Sequence, residues 1–195
     1  AKQTSFGLNL YNRTSRTKRD WDPSKYQWLE GDPPPGIGNV FYNELRRGGS
    51  VSVGRPIRPD TRVSLSLRID ATDLKPLPFE NKNEVEWGWI PGKDPSGETR
   101  SLTLSLVNDT RDHYMNPRKG GYWQASTEVA GGILGGDYTF SKYQGNGGVY
   151  REVRPNQVLA LRLAGGISTG VLPPHEQYRL GGAETLRGYD YGEFY

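Results

Sequence analysis

Residues 62–69 read RVSLSLRI, and this stretch decides the fold class. Its four apolar residues all stand at odd-numbered positions, while serine and arginine occupy the even-numbered positions. Because successive side chains of a β-strand point to opposite sides, strict alternation predicts a strand with one apolar face and one polar face. The arginines indicate that the polar face borders water, since a charged side chain in a dry core is costly.

The same alternation recurs along the chain and predicts about seven strands. No segment combines apolar residues at helical spacing with capping residues, so we expect essentially no helix. Residues 138–153 are aromatic and β-rich but change parity near residues 145–148, which predicts a bulge or kink there. The fold class is therefore all-β, with consecutive strands forming antiparallel hairpins. The other alternating stretches are residues 6–10, 45–53, 102–106, 123–129 and 159–163.

The links between these strands differ in length in a regular way. The short, proline-containing links are residues 55–60, 112–119 and 154–156, and the long aromatic and charged links are residues 13–39 and 73–97. Short turns at one end and long loops at the other are typical of an up-and-down transmembrane β-barrel. Residues 131–137 depart from the pattern, because this link is brief although it belongs to the long-loop side.

Composition narrows the class of protein. Only 33% of the 195 residues are hydrophobic, and no run reaches the roughly 18 apolar residues that a membrane-spanning helix needs. The net charge of +3 comes from interspersed acids and bases, so we expect no nucleic-acid partner. The chain has no cysteine, and His113 and His175 are far apart, so we expect no metal ion and no cofactor.

A soluble β-sandwich or barrel is the alternative interpretation of the same alternation. Two features favour the membrane barrel. Arginines occupy the polar positions of several strands, as a water-filled lumen permits, and aromatic residues that match interfacial girdles lie near the predicted strand ends. These aromatic residues are Tyr11, Tyr42, Tyr122 and Trp123.

A motif near the C-terminal end reads GGAETLRGY, with Gly181, Gly182, Arg187, Gly188 and Tyr189 as its defining residues. It resembles the signature in the sixth extracellular loop of BamA-type barrels, the bacterial surface antigen family. The resemblance implies that this loop folds back into the lumen. There its arginine would pair with acids on later strands, and a guanidinium suits that task because it offers several charged donors.

A second motif combines NDTRD at residues 108–112 with NPRKG at residues 116–120. It is similar to a strand-to-turn element of the same family, and its defining residues are Asp109, Arg111, Asp112, Pro117 and Gly120. About three predicted strands separate the two motifs, as the family implies. From the residues alone we expect an Asx turn with a local ion pair, and therefore architecture rather than catalysis. Residues 46–56 also resemble an earlier hairpin, less specifically.

The resemblance implies a function and a larger architecture. Residues 1–195 would be about seven strands of a sixteen-strand barrel, ending within the lumen-facing loop, and we expect this part not to fold alone. The protein would insert outer-membrane β-proteins without covalent chemistry and would not be an enzyme. A client strand would add at a seam between the first and last strands. The expected location is the bacterial outer membrane, and the expected partners are the lipid bilayer, unfolded β-barrel clients and accessory assembly proteins.

Two other functions stay open at this point. A two-partner secretion translocator shares the loop signature and passes an unfolded client through its lumen. A soluble β-sandwich that binds glycans would use the tryptophans of the long links, and these are Trp21, Trp28, Trp87 and Trp89.

Overall fold

A computed structural model describes residues 3–20, 39–76, 96–170, 172–178 and 187–188. This part of the chain is all-β, as the alternation predicts, and the number of strands is confirmed. The strands are β1 (Ser5–Asp20), β2 (Asn39–Arg58), β3 (Thr61–Pro76), β4 (Gly97–Asp109), β5 (Lys119–Ala130), β6 (Phe140–Arg154) and β7 (Gln157–Gly170). Two single 3-10 turns, Gly132–Leu134 and Pro174–Glu176, accompany them. No helix among the described residues is long and apolar enough to cross a membrane.

The seven strands form one antiparallel sheet in which each strand pairs with its neighbour in sequence. Two-residue turns join β2 to β3 and β6 to β7, and Asn156 adopts a positive φ of 64° in the second of these turns. Asparagine tolerates this left-handed conformation better than most residues, which suits it to a tight hairpin. The described strands are thus the up-and-down hairpins that the short links predict.

The chain forms two compact units. The first unit comprises residues 1–10, 48–69 and 99–172, and it contains all of β5, β6 and β7. The second unit comprises residues 11–47, 70–98 and 173–195, and it contains the 3-10 turn Pro174–Glu176. Each of the ion pairs and hydrogen bonds between side chains discussed below joins residues of the same unit.

Strand β6 shows that the predicted bulge at residues 145–148 is wrong. Its pairing with β5 continues without interruption from Phe140 to Arg151, and the one register shift toward β7 lies between Glu152 and Arg154. The sequence misleads here because three of these four residues are glycines, which have no side chain to mark a face. The alternation of residues between the two faces of β6 therefore continues unchanged across the glycines.

The predicted strand ends also need correction. Strand β1 extends to Asp20 and β3 extends to Pro76, so both strands run several residues into the links that the sequence assigned to loops. As a result Tyr11 lies inside β1 and not near its end. The polar composition of these extensions hides them from a search for apolar alternation.

The two faces of the sheet are inverted relative to those of a soluble protein. Large apolar side chains are exposed on one face, and Leu163, for example, is 80% exposed. Among the described residues the buried hydrophobic side chains are Ala130 and Phe140, whereas Asp70, Thr99 and Ser101 are at most 1% exposed. A soluble protein buries its apolar face and hydrates its charges. This arrangement therefore suits a sheet with hydrocarbon on one side and a polar interior on the other.

Lysine substitutions at two adjacent positions of β7 test this assignment of faces. Leu163→Lys should cost about 2–4 kcal/mol of folding free energy if the apolar face lies in a bilayer, and Ala164→Lys on the opposite face should cost less than about 0.5 kcal/mol. Unfolding in lipid vesicles, followed by the loss of the heat-resistant gel band, measures both. Equal and small effects would contradict the membrane assignment, because exposed positions of a soluble protein tolerate lysine.

Candidate functional site

The exposed apolar side chains of the first unit stand on one face of β4 to β7. Leu102 lies opposite Val129, and Val149 lies opposite Leu161, so apolar side chains form cross-strand pairs on this face. Each such side chain gains about 1.5–3 kcal/mol when it moves from water into an apolar medium. A large exposed apolar surface of this kind is typical of a membrane or partner interface.

The opposite face of the first unit carries an ion pair that spans three strands. Arg68 of β3 donates from Nη2 to Glu128 Oε1 of β5 at 2.6 Å and from Nε to Ser101 Oγ of β4 at 3.1 Å. Both charged side chains are largely shielded from solvent. Lys142 of β6 is buried and lies directly opposite Glu128 in the strand register. The arginine that the sequence placed on a polar face therefore ties β3 to β5.

A second ion-pair cluster lies in the second unit. Arg46 of β2 donates from Nε to Asp70 of β3 and from Nη2 to Glu176 Oε1 at 2.5 Å. Arg46 is 7% exposed, Asp70 1% and Glu176 6%, and His175 beside Glu176 is also buried. We call these three residues, Arg46, Asp70 and Glu176, the arginine clamp. Sequence reasoning missed it, although position 70 continues the polar parity of Arg68, because nothing in the pattern connects residues 46 and 176.

The turn between β4 and β5 contains the residues of the strand-to-turn motif. The backbone N–H of Arg111 donates to Asp109 Oδ1 at 3.2 Å, which forms an Asx turn. The guanidinium of Arg111 also grips both carboxylate oxygens of Asp109, at 2.8 and 2.7 Å. It lies 4.9 Å from the ring centres of both Tyr114 and Tyr122. Asp109 and Arg111 therefore satisfy one another within the turn.

The second half of the motif closes the base of the same turn. Asp112 Oδ1 accepts hydrogen bonds from the backbone N–H groups of Arg118 and Lys119, at 2.9 and 3.1 Å. Gly120 has a φ of 92°, and a Cβ at this position would lie 2.1 Å from the carbonyl oxygen of Thr110. Only glycine fits such a close approach. Pro117 lies between these residues and is half-buried.

The electrostatics of the turn follow from these bonds. The backbone donors of Lys119 and Arg118 hold the pKa of Asp112 below its usual range, since they stabilise the ionised carboxylate. The hydrogen bond to Asp109 raises the pKa of Arg111, so this guanidinium stays charged. Both groups lie at the end of the sheet, in the connection between strands. Their charges serve the local geometry of the turn.

The structure describes two residues of the loop motif. Arg187 and Gly188 form a turn, the side chain of Arg187 is exposed, and Gly188 has a φ of 93°. Glycine is therefore the residue that this turn favours. Gly181, Gly182 and Tyr189 lie outside the described residues. The pairing of Arg187 with acids of later strands stays a prediction.

The described ranges contain no group of three or more His, Cys, Asp or Glu side chains that could hold a metal ion, and the absence of a metal site stays a prediction. His113 lies in the turn and accepts backbone hydrogen bonds at Nδ1 from Met115 and Asn116, at 3.3 and 3.1 Å. The described residues thus form an exposed apolar face, a polar face whose ion pairs link strands, and a turn closed by hydrogen bonds.

Comparisons with known proteins identify a family and two curated proteins to which this chain is similar. A family model described as the Omp85 superfamily domain matches residues 1–194. The outer membrane protein assembly factor BamA of Nitratidesulfovibrio vulgaris is 27% identical over 163 residues, which cover 79% of this chain and 20% of that protein. A SAM50-like protein of Schizosaccharomyces pombe is 32% identical over 97 residues, which cover 46% of this chain and 20% of that protein. The chain thus spans about a fifth of the length of these curated relatives.

Substitution of Gly120 tests how tightly the turn closes. Gly132 also has a positive φ, of 59°, but a Cβ there would meet nothing within 4 Å, so Gly132→Ala carries the conformational penalty alone. We expect about 1–2 kcal/mol for Gly132→Ala and about 3 kcal/mol or more for Gly120→Ala, which adds a backbone clash. Thermal unfolding of both variants in detergent measures the difference. Equal losses of stability in the two variants would show that the turn relieves the clash by opening, and would contradict the tight closure at Gly120.

The pH dependence of the turn tests the role of Asp112. Because its pKa is lower in the folded protein, its stabilising contribution is complete above about pH 4, the ordinary range of an aspartate, and is lost as the pH falls through the lowered pKa. The amide NMR signals of Arg118 and Lys119 should shift with a midpoint below that ordinary range. In Asp112→Asn, whose amide oxygen accepts the same bonds without titrating, this shift should vanish. A midpoint above the ordinary range would contradict the assignment.

Proposed function

Since this chain belongs to the Omp85 superfamily, we propose that it forms part of the wall of a membrane β-barrel that assembles other β-barrel proteins. The observation that carries the proposal is the inversion of the sheet, with apolar side chains exposed and ion pairs buried on the polar face. A β-sheet can meet hydrocarbon only if its backbone groups are paired and its outward side chains are apolar. The described strands fulfil both conditions where they pair.

Assembly is the activity that the relatives support. One relative is named an outer membrane protein assembly factor and the other is named SAM50-like, whereas neither name refers to secretion. We therefore favour assembly over a two-partner secretion translocator. The soluble glycan-binding alternative loses its main support, because the described strands form one sheet with its apolar face uncovered. Its four tryptophans, Trp21, Trp28, Trp87 and Trp89, lie outside the described residues.

The proposed mechanism involves no covalent step. Unfolded β-barrel clients would gain strand pairing at a seam of the barrel, where backbone N–H and C=O groups of an edge strand accept a new strand. This part of the chain would contribute the barrel wall and, through residues 181–189, the loop that braces the lumen. Arg187 would act by pairing with carboxylates, for which a guanidinium provides a permanent charge and several donors.

The proposed setting is the bacterial outer membrane, with the exposed apolar face in the lipid bilayer. Residues 1–195 would be a section of a sixteen-strand barrel that works with accessory assembly proteins. The protein would not be an enzyme, because client folding is driven by the free energy of pairing and burial in the membrane. No cofactor is needed for such a reaction.

Client folding in reconstituted vesicles tests the proposal. The native protein is placed in phospholipid vesicles, a urea-unfolded β-barrel client is added, and the folded client is measured by its altered gel mobility before boiling. Vesicles with the protein should fold the client faster than empty vesicles. Arg187→Ala should slow folding about tenfold, because a charge-assisted pair of about 1.5–3 kcal/mol is lost from the loop.

The matched control is Arg118→Ala in the turn between β4 and β5. The side chain of Arg118 is half-exposed, 3.3 Å from Glu152, and such surface pairs contribute little. This variant should keep the wild-type rate. No acceleration by the wild-type protein would refute assembly, and recovery of the protein only in the soluble fraction would refute the membrane setting.

A further inference from the structure

The arginine clamp joins parts of the chain that are distant in sequence. Arg46 of β2 binds Asp70 of the neighbouring strand β3 and Glu176, which is 130 positions further along the chain. Glu176 ends the 3-10 turn that follows β7, and it stands five residues before Gly181, where the loop motif begins. All three residues belong to the second unit. The clamp therefore connects the start of the loop with strands of the wall.

The geometry of the clamp requires an arginine. Nε donates to Asp70 while Nη2 donates to Glu176, so two separate nitrogens of one planar guanidinium bind the two acids. Lysine offers donors at a single nitrogen and cannot reproduce both directions. Because the three side chains are buried, loss of the guanidinium would leave two shielded carboxylates facing one another without their cation.

The backbone around Glu176 has little rotational freedom, so the bond of its side chain to Arg46 is enough to hold this segment in place. Pro173 and Pro174 precede it, and proline fixes the φ angle at each of these positions. The N–H of Glu176 donates to the carbonyl oxygen of Pro173 at 2.9 Å, which closes the 3-10 turn. Few backbone rotations therefore remain between the buried Pro173 and the anchored carboxylate. A stiff segment that is held at one side chain is held as a whole.

We propose that Arg46 is a positioning residue that fixes the base of the loop carrying Arg187, with Glu176 as the group it holds and Asp70 as the group that orients it. The clamp itself does not depend on the activity of the protein. Its consequence for client assembly rests on the proposed function, in which the loop must be correctly placed. Arg46 would act through the loop and would not touch the client.

A nitroxide spin label in the loop tests the proposal in the native membrane. The sequence has no cysteine, so Thr185→Cys provides a labelling site that is unique within these 195 residues. Electron paramagnetic resonance then gives the ratio of mobile to immobile label. Arg46→Ala and Glu176→Gln should each raise this ratio about tenfold, because each removes a buried charge-assisted hydrogen bond from the base of the loop. Arg46→Lys should give an intermediate value.

The matched control is Arg68→Ala on the polar face of the first unit. It also breaks a shielded arginine–carboxylate pair, but the acid of that pair is Glu128 of β5. It should lower the heat stability of the barrel while leaving the label ratio at the wild-type value. An equal rise in Arg68→Ala would reduce the clamp to general stability and overturn the proposal.

Two further comparisons keep the test decisive. Glu176→Gln preserves the shape of the side chain and leaves the pair of Arg46 with Asp70 intact, so it reports on the loop even if Arg46→Ala does not fold. The double variant Arg46→Ala/Glu176→Gln should match the single variants, because both remove the same interaction. An unchanged label ratio in Glu176→Gln would refute the clamp.

Client folding measured in the same variants separates this proposal from the proposed function. A raised label ratio with slower client folding would support both. A raised ratio with unchanged client folding would support the clamp and refute the role of loop placement in assembly.

Discussion

A sheet that turns its apolar side chains outward must collect its charges on the opposite face, and there each charge needs a partner within reach. The ion pairs of the polar face follow from that constraint. Water can solvate a lone surface charge, but a shielded carboxylate or guanidinium loses that solvation and must recover it from a neighbour. The pairs of Arg68 with Glu128 and of Arg46 with two acids meet this need. Because Arg68 and Glu128 come from different strands, as do Arg46 and Asp70, the bonds that neutralise these charges also link the strands, and the bond to Glu176 links β2 to the 3-10 turn after β7.

The turn between β4 and β5 obeys a different logic. It lies where the sheet ends, and its charged groups find partners within the turn itself. Arg111 binds the carboxylate two residues before it, and Asp112 binds the backbone that enters β5. The bonds of Asp112 are exposed and those between Arg111 and Asp109 are part-buried, and both kinds join residues that are close in sequence. They fix the direction in which the chain leaves one strand and enters the next.

Sequence patterns predicted the part of the fold that depends on nearest neighbours. Alternation located the strands, proline and glycine located the short turns, and the order of hairpins followed. The wrong expectation of a bulge at residues 145–148 arose where glycines removed the signal of alternation, not where the strand changed. Strand extensions such as that of β1 to Asp20 escaped notice because their residues are polar.

The arginine clamp could not be predicted from the sequence, since it joins positions 130 residues apart and Glu176 belongs to no periodic pattern. The motif residues Asp109, Arg111, Asp112 and Gly120 were found through their resemblance to a family, and their contacts show how they shape a turn.

The closure of that turn has a consequence for how its length can vary. Thr110 bonds to Gly121, and Asp112 bonds to Arg118 and Lys119, so the base is sealed on both sides before the chain reaches its tip. Tyr114 and Met115 at the tip are largely exposed. Residues added between them would lengthen a loop whose ends are already fixed, which costs little entropy because closure depends only weakly on loop length. Insertions during evolution, or an epitope tag introduced by design, would therefore be tolerated at the tip of the turn, whereas insertions at its base would break the hydrogen bonds that close it.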